Sequence, residues 1–334
     1  MLCHACKNLI LSRYLLIAKK AYHTQCVVCV QCQKQLEGHY QTEAGLLYHP
    51  LCFQKKKGLV CGSCQELLGQ KWLVHDKKNY HPDCLEKIIP DKCDYCGKGL
   101  VGRYYIDPWG QKVHASHRLK TCDCCHKVLT SKFKSYTLGD GRYQCGFCHQ
   151  TSLKSVSDIK NILAYVLKEL ESIHIKDLPA SVPVCMMNRP DLKRLSRKHN
   201  DNPKGLTKTQ IRRGLGRKVL SHEIFILYGL PRIEFMGVLA HELMHVWLHE
   251  NGIKLSAAQT EGLCNMATFM IYSKDKSELA GYLLKAMMKN PDPVYGQGYR
   301  NILQHVKRTG WKTFLDELVV NKELNRSLWK KIFG

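Results

Sequence analysis

Towards the C-terminal end of the chain stands His241-Glu242-Leu243-Met244-His245, a carboxylate set beside two imidazoles four positions apart. On an α-helix residues four apart share a face, so both rings can reach one metal ion. A zinc held there would bring the pKa of a bound water towards neutrality and polarise an amide carbonyl. Glu242 lies where its carboxylate could take that water's proton as general base. Sixteen positions after His245, Glu261 in T-E-G-L-C-N offers a third ligand. Two His, one Glu and an open position form a known catalytic zinc set. Asn265, one helical turn beyond Glu261, could hydrogen-bond a ligand histidine and fix its tautomer. Tyr295, in the Gly-flanked segment P-V-Y-G-Q-G-Y, is a candidate donor to an oxyanion.

Five letters with two free positions arise readily by chance, so the elements around them carry the weight. His222–Leu230 (H-E-I-F-I-L-Y-G-L) reads as a buried strand. Pro231 then suits the first turn of a helix that Asn251-Gly252 stops. Ser256-Ala-Ala-Gln259 has the form of a capping box and starts a second helix reaching about Tyr272. Upstream, Ile159, Ile162, Leu163, Val166, Leu167 and Leu170 form one stripe of an amphipathic helix. A short strand fits Val182–Met186, and further helices fit 276–289, 299–308 and 311–331. Residues 189–218 hold 11 Lys or Arg against two Asp. With their Asn, Gly and Pro they read as a basic loop or mobile insertion.

Sixteen of the 18 cysteines precede residue 150, nearly all in C-x-x-C, H-x-x-C or C-x-x-H pairs. A disulfide framework has no use for histidine at ligand spacing, so these pairs read as zinc ligands in a reducing compartment. Five sets of four follow in order. Cys3, Cys6, His23 and Cys26 are followed two residues later by Cys29, Cys32, His49 and Cys52, the compact double arrangement of a LIM domain. Then come Cys61, Cys64, His81 and Cys84; Cys93, Cys96, His114 and His117; and Cys122, Cys125, Cys145 and Cys148. Cys124 could stand in for Cys125, although the C-x-x-C spacing favours Cys125. Four-ligand sites are closed, hence structural. Cys185 and Cys264 read as buried structural thiols. The expectation is Zn2+ at one catalytic and about five structural sites.

The formal charge is +23. Fifteen thiolate charges removed and twelve added by six zincs leave +20, a balance that favours anionic partners. Nucleic acid is a lesser reading, because the basic segment lacks the interleaved aromatics of a stacking platform. No run of 18 apolar residues predicts a membrane span, and no apolar leader precedes Cys3; the expectation is a cytoplasmic chain. The fold class expected is α+β: an N-terminal array of LIM and zinc-ribbon modules, then a mostly helical zincin-type metallopeptidase domain. Its boundaries would be 1–53 for the LIM domain, 54–150 for three LIM-like zinc modules and 151–334 for the peptidase.

Three segments carry a family resemblance. Residues 228–265 (Y-G-L-P-R-I-E-F through T-E-G-L-C-N), 121–148 and D-P-V-Y-G-Q-G-Y-R resemble the plant growth-regulating LIM peptidases of the "DA-one" family. The resemblance implies a zinc peptidase acting on protein substrates, with His241, His245 and Glu261 as ligands and Glu242 as base. It also implies ubiquitin or ubiquitylated proteins as partners. The family's ubiquitin-interacting segments precede its LIM domain, whereas here Cys3 already belongs to the first zinc site, and the half-module Cys61–Cys84 is additional. The alternative reading is a zinc scaffold or adaptor carrying an inactive peptidase fold.

Overall fold

In the computed structural model the residues described are 1–153, 155–196, 202–214 and 217–324. They form two compact units, the first comprising Met1–Ile106 with Gln111–Arg118, the second Asp107–Gly110 with the chain from Leu119 onwards. Division by compactness and division by metal module do not coincide. Four of the five Cys/His sets lie in the first unit and the fifth folds with the second.

Each C-x-x-C pair is wound into the same knuckle. The N–H four residues after the first cysteine donates back to that cysteine's carbonyl: Lys7 to Cys3 at 2.9 Å, Gln33 to Cys29 at 2.8 Å, Gln65 to Cys61 at 3.0 Å, Gly97 to Cys93 at 2.8 Å and His126 to Cys122 at 2.9 Å. In the first unit a short antiparallel hairpin follows each knuckle: β1 (Tyr14–Ile17) with β2 (Lys20–His23), β3 (Gln41–Glu43) with β4 (Leu46–Tyr48), β5 (Leu73–His75) with β6 (Lys78–Tyr80), and β7 (Tyr104–Ile106) with β8 (Lys112–His114). Helices α1 (Pro50–Lys56) and α2 (Pro82–Ile88) start directly after His49 and His81, with Pro in the first turn, a position where its missing N–H is no loss. Apolar clusters here are small: Ile17, Tyr22, Val27, Leu36, Leu47 and Tyr48 serve the first two modules. Modules of this size need metal to supply folding free energy.

The second unit opens with hairpin β9 (Ser135–Thr137) and β10 (Tyr143–Cys145), then α3 (Gly146–Thr151) and α4 (Val156–Ser172). A three-stranded sheet follows, built from β11 (Val184–Met187), β12 (Gly205–Gly214) and β13 (Arg217–Leu227), with α5 (Arg189–Ser196) between the first two strands. The sheet order is β11-β13-β12, so β13 is central, parallel to β11 and antiparallel to the edge strand β12. Five helices complete the unit: α6 (Arg232–Glu250), α7 (Ala257–Lys274), α8 (Glu278–Lys289), α9 (Gly296–Thr309) and α10 (Trp311–Asn321). The core gathers Ile162, Val166 and Leu170 of α4, Ile224 and Ile226 of β13, Leu239, Leu243 and Val246 of α6, and Leu263 and Ala267 of α7. The architecture is thus α+β, zinc modules first and helices after.

Three expectations are corrected. The basic segment 189–218 is not a loop: within its described residues it contains α5, all of β12 and the start of β13. Charge and Asn/Gly content marked it as solvated, but Thr207, Thr209 and Ile211 stand at alternate positions, and β-branched residues in that spacing favour a strand. The helix expected over 311–331 stops at Asn321, where Lys322 turns into the left-handed region at φ 58°; residues 197–201 and 325–331 lie outside the described residues. Cys185 is exposed rather than buried, whereas Cys264 is buried.

Candidate metal sites and candidate active site

The five structural sets come together as the spacing predicts. In each, one ligand atom per residue lies within 4.8 Å of the other three: Cys3/Cys6/His23/Cys26, Cys29/Cys32/His49/Cys52, Cys61/Cys64/His81/Cys84, Cys93/Cys96/His114/His117 and Cys122/Cys125/Cys145/Cys148. The donors suit zinc: thiolates with imidazoles in the first four sets, four thiolates in the fifth, each set closed. In the four His-bearing sets the first histidine turns Nδ1 towards a cysteine sulfur, at 3.3 to 3.6 Å. Its Nε2 meets a backbone carbonyl instead: Leu9 at 3.3 Å, Gln35 at 3.1 Å, Leu67 at 2.9 Å and Gly99 at 2.9 Å. A carbonyl only accepts, so Nε2 carries the hydrogen and Nδ1 is left as the ligand atom.

The first cysteine of each of these sets is also prepared. Burial works against the thiolate of Cys3, but backbone N–H groups of Cys6, His23 and Ala5 outweigh it and bring the thiol down to about 6. Cys29, Cys61 and Cys93 reach about 6 in the same way. Cys124 does not belong to the fifth quartet. It is buried, with the Gln144 side-chain amide donating to its sulfur at 3.4 Å.

The second cluster forms on α6 and α7. Helix α6 is apolar on nearly every face, and Glu242 is 6 % exposed within it. Helix α7 starts at the capping box: Ser256 accepts from the Gln259 N–H and the Gln259 side chain accepts from the Ser256 N–H. Packed side by side, the two helices bring His241 Nε2 to 3.0 Å and His245 Nε2 to 3.7 Å from the same oxygen, Glu261 Oε2. The His241 and His245 rings lie 5.1 Å apart, edge to face.

Asn265 fixes the chemistry of His241. Its Nδ2 donates to the Tyr295 backbone carbonyl at 3.1 Å, which sets the amide with Oδ1 facing His241 Nδ1 at 3.0 Å. An amide oxygen only accepts, so Nδ1 carries the hydrogen, and in the neutral ring Nε2 presents its lone pair to the centre of the cluster. Helix α9 can deliver that carbonyl because it lies hard against α7. A Cβ on Gly262 would sit 2.3 Å from the Gly298 carbonyl oxygen, and one on Gly298 would sit 2.2 Å from that of Ala258. Tyr295 therefore enters the site through its backbone; the expectation for its phenol is not carried by this contact.

Electrostatics follow from the geometry. Burial resists the carboxylate of Glu261, yet hydrogen bonds from His241 and His245 in their protonated form hold it well below the usual carboxylate range. Burial likewise resists a charge on His241, but the Glu261 hydrogen bond and the charges of Glu242 and Glu261 raise its pKa. Two imidazoles and a carboxylate converging on one point, with one imidazole's tautomer preset, fit a zinc ion by donor type.

Two residues at this site were missed from sequence. Thr207 Oγ1 lies 2.8 Å from Glu242 Oε2, and Gly205 lies against the same carboxylate. Both are on β12, inside the segment read as a loop; the Thr207-Thr209-Ile211 alternation was the available signal. The turn leading into α6 is clamped by the fifth zinc module. The Gly229 carbonyl accepts from Gln144 Nε2 at 2.5 Å and from Ser152 Oγ at 2.9 Å, and the Tyr228 carbonyl accepts from Arg142 at 2.6 Å.

Comparison with known proteins finds two domain matches in the chain. Residues 3–57 match the LIM domain and residues 165–273 match the family described as DA1-like: Protein DA1. The second match covers His241, His245, Glu261 and Asn265 and stops before Tyr295. Among curated proteins the chain is 26% identical over 285 residues to the LIM domain-containing protein HDR3 of Oryza sativa, covering 73% of this chain and 56% of that one. It is 27% identical over 292 residues to Protein DA1-related 2 of Arabidopsis thaliana, covering 75% and 49%. With Protein DA1 of the same plant the identity is 24% over 296 residues, covering 76% and 49%. The chain spans about half the length of these relatives. It thus pairs a LIM domain with a DA1-like domain, consistent with the DA1 family of plant proteins.

Proposed function

We propose that the chain is a zinc-dependent endopeptidase acting on protein substrates in the cytoplasm, with its zinc modules serving substrate binding or regulation. The observation that carries the proposal is the meeting of His241 Nε2 and His245 Nε2 at Glu261 Oε2 beside the buried Glu242. His241, His245 and Glu261 would hold the zinc, whose contribution is to activate water and polarise the scissile carbonyl. Glu242 is the general base and then passes the proton to the leaving amine. The edge strand β12 runs past Glu242, and a strand edge is suited to receive an extended peptide by backbone hydrogen bonding. Among the described residues no helix is long and apolar enough to cross a membrane. Ubiquitin or ubiquitylated proteins are proposed as partners on the likeness to the plant family alone. Substitution Glu242→Gln tests the core of the proposal: cleavage of denatured casein falls by about 10²–10⁴-fold at unchanged zinc content. Equal cleavage by wild type and Glu242→Gln, at matched metal loading, overturns it.

A further inference from the structure

Thr207 and Gly205 sit on β12, two residues apart and therefore on one face of the strand, and both meet the carboxylate of Glu242. Thr207 Oγ1 lies 2.8 Å from Glu242 Oε2 and 3.0 Å from the Glu242 carbonyl oxygen. A hydroxyl has one hydrogen to give. The carbonyl lies in the interior of α6, where the helix supplies a partner, so the hydrogen goes to the charged carboxylate, the stronger acceptor. The other oxygen is bounded by Gly205: a Cβ there would lie 2.4 Å from Oε1, 2.9 Å from Glu242 Cγ and 2.7 Å from Val238 Cγ1. The strand thus approaches the carboxylate as closely as a bare backbone allows. Register holds both residues in place, since Gly205 pairs with Ile226 and Thr207 with Ile224 of the central strand.

We propose that Thr207 is a positioning residue for Glu242: its hydroxyl clamps Oε2, while the missing side chain at Gly205 keeps a slot open for Oε1, so that the base is held in one rotamer. The proposal rests on the peptidase reading above. Held this way, Glu242 has one oxygen occupied by a donor and the other free for the reacting proton, and no rotamer search precedes transfer. It also ties the base to the strand along which a peptide would lie, so the docked substrate and the base share one rigid support.

The test compares wild type, Thr207→Val, Thr207→Ser and Gly205→Ala as zinc-loaded full-length chains. Two measurements are taken, kcat and KM on fluorescent casein and the Kd of acetohydroxamate by calorimetry. A hydroxamate needs a correctly placed base carboxylate as well as the metal. Thr207→Val removes the hydroxyl at nearly constant volume and is expected to lower kcat by about 10- to 100-fold, with KM within threefold of wild type. Acetohydroxamate binding should weaken about tenfold. Thr207→Ser restores both values to within about threefold, which a packing role for the methyl group would not produce. Gly205→Ala is expected to resemble Thr207→Val. Zinc content and melting temperature are followed in each variant. Wild-type kcat and acetohydroxamate affinity in Thr207→Val overturn the proposal, and so does equal loss in the Val and Ser variants. Failure of the peptidase reading looks different: wild type and Glu242→Gln then cleave casein alike. The acetohydroxamate affinities in that case decide the role of Thr207 alone, an unchanged value in Thr207→Val overturning it.

Discussion

At the scale of single residues, the site is a chain of enforced hydrogen-bond directions. The Tyr295 carbonyl can only accept, so the Asn265 amide must turn its nitrogen that way and its oxygen towards His241. His241 then carries hydrogen on Nδ1 and offers Nε2. Partners of this kind typically account for a 10- to 100-fold change in metal affinity. Asn265→Ala should therefore weaken zinc binding at this cluster by about that factor, measured by competition with a chromogenic chelator. At saturating zinc, casein turnover should recover most of its wild-type rate. Unchanged affinity in Asn265→Ala would leave the amide without the orienting role the geometry gives it. Replacement of Tyr295 by Phe alters neither the carbonyl nor this relay, so the same titration should show wild-type affinity. A fall in turnover in that variant would then report the phenol by itself, as the oxyanion donor expected from sequence.

At the scale of elements, the fifth zinc module and helix α6 form one working part. Arg142 and Asp140, at the β9–β10 turn, form an ion pair at 2.9 Å with both side chains 2 % exposed. Burial works against the Asp140 carboxylate, but the Arg189 N–H and the Arg142 guanidinium outweigh it and lower its pKa. A lowered carboxyl pKa means its contribution is complete at neutral pH, above the unfolded value, and fades as pH falls through the folded one. Breaking a buried pair by removing one partner costs about 3–5 kcal/mol. Asp140→Ala should destabilise the second unit by that order at neutral pH, read from urea unfolding followed by tryptophan fluorescence. Because Arg142, Gln144 and Ser152 hold the Tyr228-Gly229 turn that opens α6, loss of the fifth zinc should reach the proposed active site. Cys145→Ser is expected to lose one zinc and most casein turnover, whereas Cys32→Ser loses one zinc from the separate first unit with turnover retained. Equal turnover in the two variants would dissolve the link.

The same elements show what the sequence makes legible. Ligand sets and the two site helices are local patterns: C-x-x-C pairs, His at i and i+4, a Ser-x-x-Gln cap. Each is decided within a few residues of itself, and each is found in place. Thr207, Gly205 and the turn clamp depend on pairing between segments far apart in the chain, Thr207 with Ile224 and Gln144 with Gly229. No local period encodes such partners. A charge-rich composition over 189–218 also masked the strand, because polar side chains on an edge strand resemble those of a loop.

At the scale of the whole molecule, two kinds of metal site should separate by how a chelator can reach them. Five sets offer four protein ligands each, so removing their zinc requires opening the module that the metal itself stabilises. The His241/His245/Glu261 cluster offers three, so a zinc held there, as proposed, would keep a fourth position for an incoming donor. A bidentate chelator such as 1,10-phenanthroline can enter there without unfolding anything. Mild treatment should accordingly abolish casein cleavage with loss of about one zinc in six, measured by elemental analysis, while the far-ultraviolet dichroism stays that of the native chain. Adding back one equivalent of zinc should restore the activity. Harsh treatment at acid pH, where thiolates and imidazoles protonate, should instead release the remaining zinc together with the fold of the first unit. If activity fell only in step with the last five zincs, the open three-ligand cluster would not be the catalytic one, and the basis of the proposed function would be lost.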